Sequence, residues 1–174
     1  MDNVSQHPRI RAAACILRKG AEVLLVQHQK DGQEYWLFPG GGVNYGEHLR
    51  DAAVREVQEE VGLPVNISSL LFVAETIAPS GRHVIHVTFR AELLSDEELS
   101  VGGDERVTAA AWHPIHALGT MMFLPHVGQV LASGWNGTEF SVPSFIPCHW
   151  TNNMENAVKI APFPPKAKST PARS

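Results

Sequence analysis

The chain has 174 residues, 44% of them hydrophobic, and a formal net charge of −4. That length fits one compact domain, with room for a tail, and is enough to bury a core without disulfide or metal staples. So mild a charge gives no basic footprint for nucleic acid and no polybasic patch for a membrane surface, and the sequence lacks an apolar run of the roughly eighteen residues that spans a bilayer.

In chain order, residues Arg11 to Arg18 and Glu22 to His28 are two short β-prone runs about a glycine-containing turn, which predicts a hairpin or adjacent strands. Trp36-Leu37-Phe38 is a short strand candidate running into Pro39-Gly40-Gly41-Gly42, a tract read as a loop because neither a helix nor a central strand tolerates it. A helix is expected over Glu47 to Val61: Leu49, Ala53, Val57 and Val61 form an apolar stripe flanked by Ala52 and Val54, Gly62 suits the C′ position and Pro64 stops continuation. Val65 to Ala78 and Arg82 to Leu94 read as an antiparallel pair turned at Pro79-Ser80-Gly81. Val107 to Trp112 reads as a further strand and Leu124 to Ser133 as a second helix. The expected organisation is a domain over 1–134, an extension over 135–161 that packs on it through residues such as Trp135, Phe140, Phe145 and Trp150, and a disordered, proline-rich tail over 162–174. No basic n-region followed by an apolar stretch opens the chain, which sets a cytoplasmic expectation. Cys15 and Cys148 make no CxxC spacing and are expected as free thiols.

The segment that carries chemistry is Gly41 to Leu63. On a helix, Glu56, Glu59 and Glu60 share one face. Like charges four residues apart cost an isolated helix about 0.2–0.5 kcal/mol, and each glutamate near the negative end of the helix dipole costs about 0.3–1 kcal/mol more. Carboxylates gathered at that end, beside an apolar stripe, point to a bound cation that reverses the local electrostatics. All-oxygen ligands select hard ions such as Mg²⁺ and Mn²⁺, which keep waters and share phosphate oxygens with a substrate. Arg55 reaches Glu59 at i+4 and could fix a carboxylate by a two-point hydrogen bond. The glycines let backbone approach a ligand closely. Taken singly, a glutamate cluster is usually a solvated face, a glycine run a turn, and an Arg–Glu pair a weak surface salt bridge. Their fixed register makes the joint reading stronger.

That register resembles the Nudix box, Gly-x5-Glu-x7-Arg-Glu-U-x-Glu-Glu-x-Gly-U with U a bulky aliphatic residue. Gly41, Glu47, Arg55, Glu56, Val57, Glu59, Glu60, Gly62 and Leu63 fill every defined position. The wider resemblance runs from about Arg9 to Gly134. It implies an α/β fold, an α/β/α sandwich around a mixed β-sheet, and metal-assisted attack of water on the diphosphate linkage of a nucleoside diphosphate derivative. It implies Mg²⁺ as cofactor, with Mn²⁺ as a substitute. Glu56, Glu59, Glu60 and the Gly40 carbonyl would be metal ligands. Arg55 would orient the carboxylates, and Gly41, Glu47 and Gly62 would support the box. A further acid after the box serves many relatives as base or ligand; Glu105 is the candidate, Asp104 the alternative.

Some relatives that cleave ADP-ribose carry a proline about sixteen residues past the box, where Pro79 stands, and the tyrosine that dinucleoside-polyphosphate cleavers often place there is missing, since the two tyrosines are Tyr35 and Tyr45. ADP-ribose or a nucleotide sugar is therefore favoured slightly, with a normal or oxidised nucleoside triphosphate as alternative. Trp36, Phe38, Arg82 and Arg90 are candidate substrate contacts. A sensor that binds a nucleotide sugar without cleaving it is the reading from another class, but such domains tend to lose box glutamates. Isomerase chemistry on an allylic diphosphate would need a reactive cysteine and an altered box. The partner implied is a small-molecule nucleotide, with no nucleic acid and no membrane. A homodimer, common among ADP-ribose-cleaving relatives, stays open.

Overall fold

The computed structural model of the protein describes residues 7–18, 21–30, 32–95, 98–102 and 106–148. Eight strands and two α-helices are formed by them: β1 (Arg9–Arg18), β2 (Glu22–Lys30), β3 (Gln33–Leu37), β4 (Gly40–Gly42), α1 (Leu49–Val61), β5 (Val65–Ile77), β6 (His83–Leu93), β7 (Val107–Pro114), a 3-10 helix (Ile115–Gly119), α2 (Gly128–Gly134) and β8 (Phe145–Pro147). The strands order as β3-β2-β1-β6-β5-β8, with β4 beside β1 and β7 beside β2. β1 runs parallel to β6, and β5 to β8, while the other pairs are antiparallel, so the sheet is mixed.

Strand alternation divides the core into two layers. Ala12, Ala14 and Ile16 of β1 and Leu24 and Val26 of β2 face α1, meeting Ala52, Ala53, Val57 and Val61. Ala13, Cys15, Val23 and Leu25 face the other way, onto Ile115, Leu118, Val127 and Leu131 of the 3-10 helix and α2. Strands buried on both faces need unbroken apolar runs, which is what these two sequences supply. The result is the α/β sandwich with helices on both faces. Among the described residues, no helix is long and apolar enough to cross a membrane.

Several elements differ from the expectation. The glycine run is not a loop: Gly40–Gly42 forms β4, in register with β1 as Ala13↔Gly40, Ala12↔Gly41 and Arg11↔Gly42. Glycine is disfavoured in a strand for want of a side chain to pack, but at Gly40 and Gly41 neighbouring atoms occupy the space a side chain would need. α1 begins at Leu49 rather than Glu47, because the Glu47 carboxylate turns back to accept from the Asn44 amide at 2.9 Å. It ends as expected, with Gly62 left-handed at φ 72° and its N–H on Gln58 O. Val54 faces solvent. α2 begins at Gly128, since the preceding backbone is engaged elsewhere: Trp36 N–H donates to Met122 O at 2.7 Å and Leu124 N–H to Trp36 O at 2.8 Å. Of the extension, Phe140, Ile146 and Cys148 are buried, and β8 adds an edge strand beside β5. Trp150 and the tail lie outside the described residues. Both cysteines are free and buried.

Candidate functional site

The site forms where β4 is squeezed between β1 and α1. A Cβ on Gly40 would strike Ala12 O and sit 2.5 Å from Ala13 Cα, so only glycine lets β4 lie this close to β1. A Cβ on Gly41 would fall inside the Glu56 carboxyl group. Ala14 N–H donates to Pro39 O at 2.9 Å and Val43 N–H to Ile10 O at 3.1 Å, which pins both ends of the glycine strand. The freed volume is taken by carboxylates from α1.

Arg55 organises them. Its Nε and Nη2 donate to the two Glu47 oxygens at 2.8 and 3.0 Å, a bidentate pair. Nη1 donates to Glu56 Oε1 at 2.7 Å and Glu59 Oε2 at 3.1 Å, and Nη2 also reaches Gly42 O at 3.0 Å. The fork thus ties the start of the box, the glycine strand and the helix together. Hydrogen bonds from Arg55, then from the Asn44 backbone, hold the Glu47 carboxyl at about 2, against an ordinary 4.5. The Arg55 guanidinium is raised, chiefly by Glu47. Glu56 goes the other way: burial pushes its carboxyl up and outweighs Arg55, with Glu60 and Glu59 adding repulsion.

Glu60 is the most enclosed of the acids, 2% exposed. Its Oε2 accepts from Gly40 N–H at 2.8 Å. Its Oε1 stands 3.4 Å from His28 Nε2, near enough for charge attraction but without hydrogen-bond alignment, and that nitrogen has no hydrogen-bond partner. Arg11 of β1 donates through Nη2 to Phe38 O at 2.8 Å and Gly40 O at 2.6 Å. Burial lowers the Arg11 guanidinium, while Glu60 and then Glu56 oppose that shift. Arg11 and His28 were not anticipated from the sequence. The signal was there for Arg11, a charged residue entering an Ala-rich strand; His28 merely ends an apolar run.

Among the described residues, no three acid, histidine or cysteine side chains converge as a ready-made metal cage. The donors nonetheless fit a hard cation. Glu56 and Glu60 are buried neighbours that repel one another, and Glu59, half-exposed on the same face, is tied only to Arg55. A divalent ion relieves that repulsion with oxygen ligands it prefers. The Gly40 carbonyl, expected as a ligand, here accepts from Arg11.

Beside β4 opens a cavity of about 850 Å³, whose wall includes Gly40, Gly41, Gly42, Arg9, Arg11, Arg82, Arg106, His28, His86 and Pro79. Of the four candidate substrate contacts, Arg82 lines this cavity and the other three do not. Phe38 is 2% exposed and packs on Phe72 and Phe123, because its face of the chain points into the second core layer. Trp36 packs edge-on against His113 at 4.3 Å, in that same layer. Arg90 donates to Phe140 O at 2.7 Å and Glu139 at 3.3 Å, in a separate cavity beneath the extension. Glu105 and Asp104 lie outside the described residues.

A family model described as the NUDIX domain matches residues 7–132. An uncharacterized Nudix hydrolase of Bacillus subtilis is 28% identical over 125 residues, which cover 70% of this chain and 76% of that protein. An ADP-ribose pyrophosphatase of Methanocaldococcus jannaschii is 33% identical over 102 residues, 58% of this chain and 59% of that relative, so the match spans less than two thirds of its length. Among solved structures, a Nudix hydrolase from Nitrosomonas europaea superposes with a TM-score of 0.63 at 26% identity, covering 71% of this chain and 85% of that one.

Proposed function

The chain belongs to the Nudix family, and on that premise we propose that it is a Mg²⁺-dependent hydrolase, with Mn²⁺ as a substitute, that cleaves the diphosphate linkage of a nucleoside diphosphate derivative. The observation that carries this reading is the pair of buried carboxylates, Glu56 and Glu60, fixed against Gly40 and Gly41 at the edge of an arginine-lined cavity. When bound by Glu56, Glu59 and Glu60, a divalent ion supplies neutralisation of phosphate charge and a lower pKa for the attacking water. The chain's own groups do the placing. Arg55 fixes the rotamers of Glu56 and Glu59. The Gly40 N–H holds Glu60. Arg11, on the cavity wall beside the glycine strand, adds the positive charge a diphosphate needs. Glu105, with Asp104 as the alternative, is assigned the removal of the water proton.

ADP-ribose or a nucleotide sugar is favoured as substrate, because Pro79, at the spacing seen in some ADP-ribose-cleaving relatives, lies on the cavity wall, and because one relative is an ADP-ribose pyrophosphatase. Turnover tests this on ADP-ribose, nucleotide sugars, dinucleoside polyphosphates, and normal and oxidised nucleoside triphosphates, with Mg²⁺ and then Mn²⁺. Metal-dependent cleavage is expected, falling by orders of magnitude in Glu60→Gln. Cleavage of triphosphates alone moves the substrate to that class. Binding without turnover makes the protein a sensor, and a Glu60→Gln rate near wild type at saturating Mg²⁺ refutes the metal assignment.

A further inference from the structure

The described arginines fall into two groups. Arg18 pairs with Glu22, Arg55 with three glutamates, Arg90 with Glu139, and Arg11 and Arg50 donate to backbone carbonyls. Arg106 also has a partner. Arg9 and Arg82 differ: neither side chain makes a hydrogen bond or an ion pair among the described residues, and both line the cavity beside the glycine strand. Arg9 is in β1, and Arg82 immediately precedes β6, which runs parallel beside β1. Arg9 of β1 is in register with Val84 of β6, and Arg82 lies two residues before Val84. Arg9 Nη2 reaches to 3.6 Å from where a Cβ on Gly42 would stand, which puts its charge beside the box strand.

An exposed arginine is ordinarily a solvated surface group. Two on one cavity wall, with the half-buried Arg11 between them and the Glu56–Glu60 pair, are a different case. The cavity's acid, Glu34, is hydrogen-bonded to Gln27 and not to either of them. Like charges left unpaired around a concave surface concentrate positive potential there. A neutral imidazole stands on the same wall: His86 is held down to about 3 by burial, with Arg11 and Arg82 adding to the effect, and its Nε2 is shared with Thr76 Oγ1 at 3.0 Å, which leaves Nδ1 unpaired.

We infer that Arg9 and Arg82 form an anion subsite, separate from the box carboxylates, that holds a phosphate of the substrate other than the two whose linkage is broken. This rests on the proposed function. Guanidiniums match phosphate oxygens two at a time, and the other arginines of the site already have partners: carboxylates and a carbonyl for Arg55, carbonyls for Arg11, and a partner also for Arg106. The extra phosphate could be a monoester on the nucleoside ribose or a third phosphate in the chain.

Paired substrates that differ by one phosphate test it on the full chain: ADP-ribose against ADP-ribose 2′-phosphate, and ADP against ATP. In at least one pair the more phosphorylated member should win in kcat/KM by about tenfold or more, as one charge-assisted contact allows. Which pair responds tells the ribose monoester from the chain phosphate. The Arg9→Gln/Arg82→Gln variant should bring the ratio near unity, while Arg18→Gln, which removes a charge outside this cavity, should keep it. Both arginines are exposed, so the double variant should fold. No preference in either pair, or a preference that survives the double substitution, overturns the subsite. Calorimetric titration of inorganic tripolyphosphate into metal-free protein decides it independently of turnover. Binding weakened about tenfold in the double variant but not in Arg18→Gln upholds the subsite, and equal binding in all three overturns it. Absence of cleavage across both pairs would count against the hydrolase reading alone.

Discussion

Gly41→Ala probes the contact that shapes the site. A methyl on Gly41 lies 2.5 Å from Glu56 Oε1 and closer still to Cδ and Oε2, and the three nearest atoms all belong to that one carboxyl group. The backbone at Gly41 has no positive φ, so the obstacle is steric and comes from one side chain. Overpacking of this kind costs about 1–3 kcal/mol. If the carboxylate swings away instead, it gives up the 2.7 Å bond from Arg55, worth about 1.5–3 kcal/mol for a charged pair, at the lower end because Arg55 is 29% exposed. The expected loss is about 2 kcal/mol, or about 4–8 °C in melting temperature for a domain of this size. The assay is thermal unfolding of Gly41→Ala, Glu56→Ala and the double variant, which needs no substrate. With the carboxyl group gone, the added methyl meets no obstacle, so the second substitution should cost less than about 0.5 kcal/mol and the cycle should be strongly non-additive. Equal costs of Gly41→Ala in both backgrounds would show that the glycine is required for some reason other than Glu56, and the reasoning would fail.

Three further outcomes follow from titrating groups. Because the Glu47 carboxyl sits at about 2 when folded, against 4.5, the stability its pairing adds is complete above pH 4.5 and lost as pH falls toward 2; the gap in melting temperature between wild type and Glu47→Gln should shrink over that window, and a constant gap speaks against the pairing. His86 is held at about 3 against 6.5, so between those values the unfolded chain binds a proton that the folded chain refuses, and stability falls with falling pH; His86→Gln should flatten the profile between pH 6.5 and 4.5, where Glu47 is silent, and an unchanged slope contradicts the burial. Cys15 and Cys148 are both pushed up to about 12 by burial, so native protein at pH 8 should resist thiol alkylation until denatured, and rapid labelling of either in the folded state contradicts this packing.

The box was legible because its residues are bound to one another locally. Spacing alone puts Glu56, Glu59 and Glu60 on one helical face and Arg55 within reach of Glu59, and the structure shows that reach at 3.1 Å. What the spacing cannot carry is the approach of other strands. Gly40–Gly42 reads as a loop until β1 is laid beside it, since the reason for Gly40 and Gly41 lies in Ala12, Ala13 and Glu56, not in the tract itself. Arg11 and His28 become site residues only when β1 and β2 bring them to Glu60. Trp36, Phe38 and Arg90 lie away from the cavity for a related reason. Trp36 and Phe38 were chosen because an aromatic ring can stack on a base, but pairing with residues 122–124 and packing in the second core layer fix where they point. Arg90 shares a strand with His86 yet is in register with Cys15 rather than Arg11, and four residues of extended chain carry it about 13 Å along the strand from His86.

The charge balance of the site explains why it takes two arginines of such different character. α1 has no basic residue in its last turn, where Glu59 and Glu60 meet the negative end of the dipole. Arg55, on the same helix and partly exposed, can satisfy Glu47, Glu56 and Glu59 but makes no bond to Glu60, which faces inward. Compensation for Glu60 must come from the sheet, and it does: the Gly40 N–H donates to it, and Arg11 lies behind that strand with its guanidinium on Gly40 O. Each arginine therefore grips the glycine strand by a carbonyl, Gly42 for Arg55 and Gly40 for Arg11, while opposing the charge of a different carboxylate. The glycine strand is thus held by the groups that neutralise the acids, and its position and the positions of Glu56 and Glu60 are set together rather than separately. An arrangement of that kind holds the carboxylates in place beforehand, and under the proposed function such prior placement would lower the cost of gathering a cation and phosphate oxygens between them.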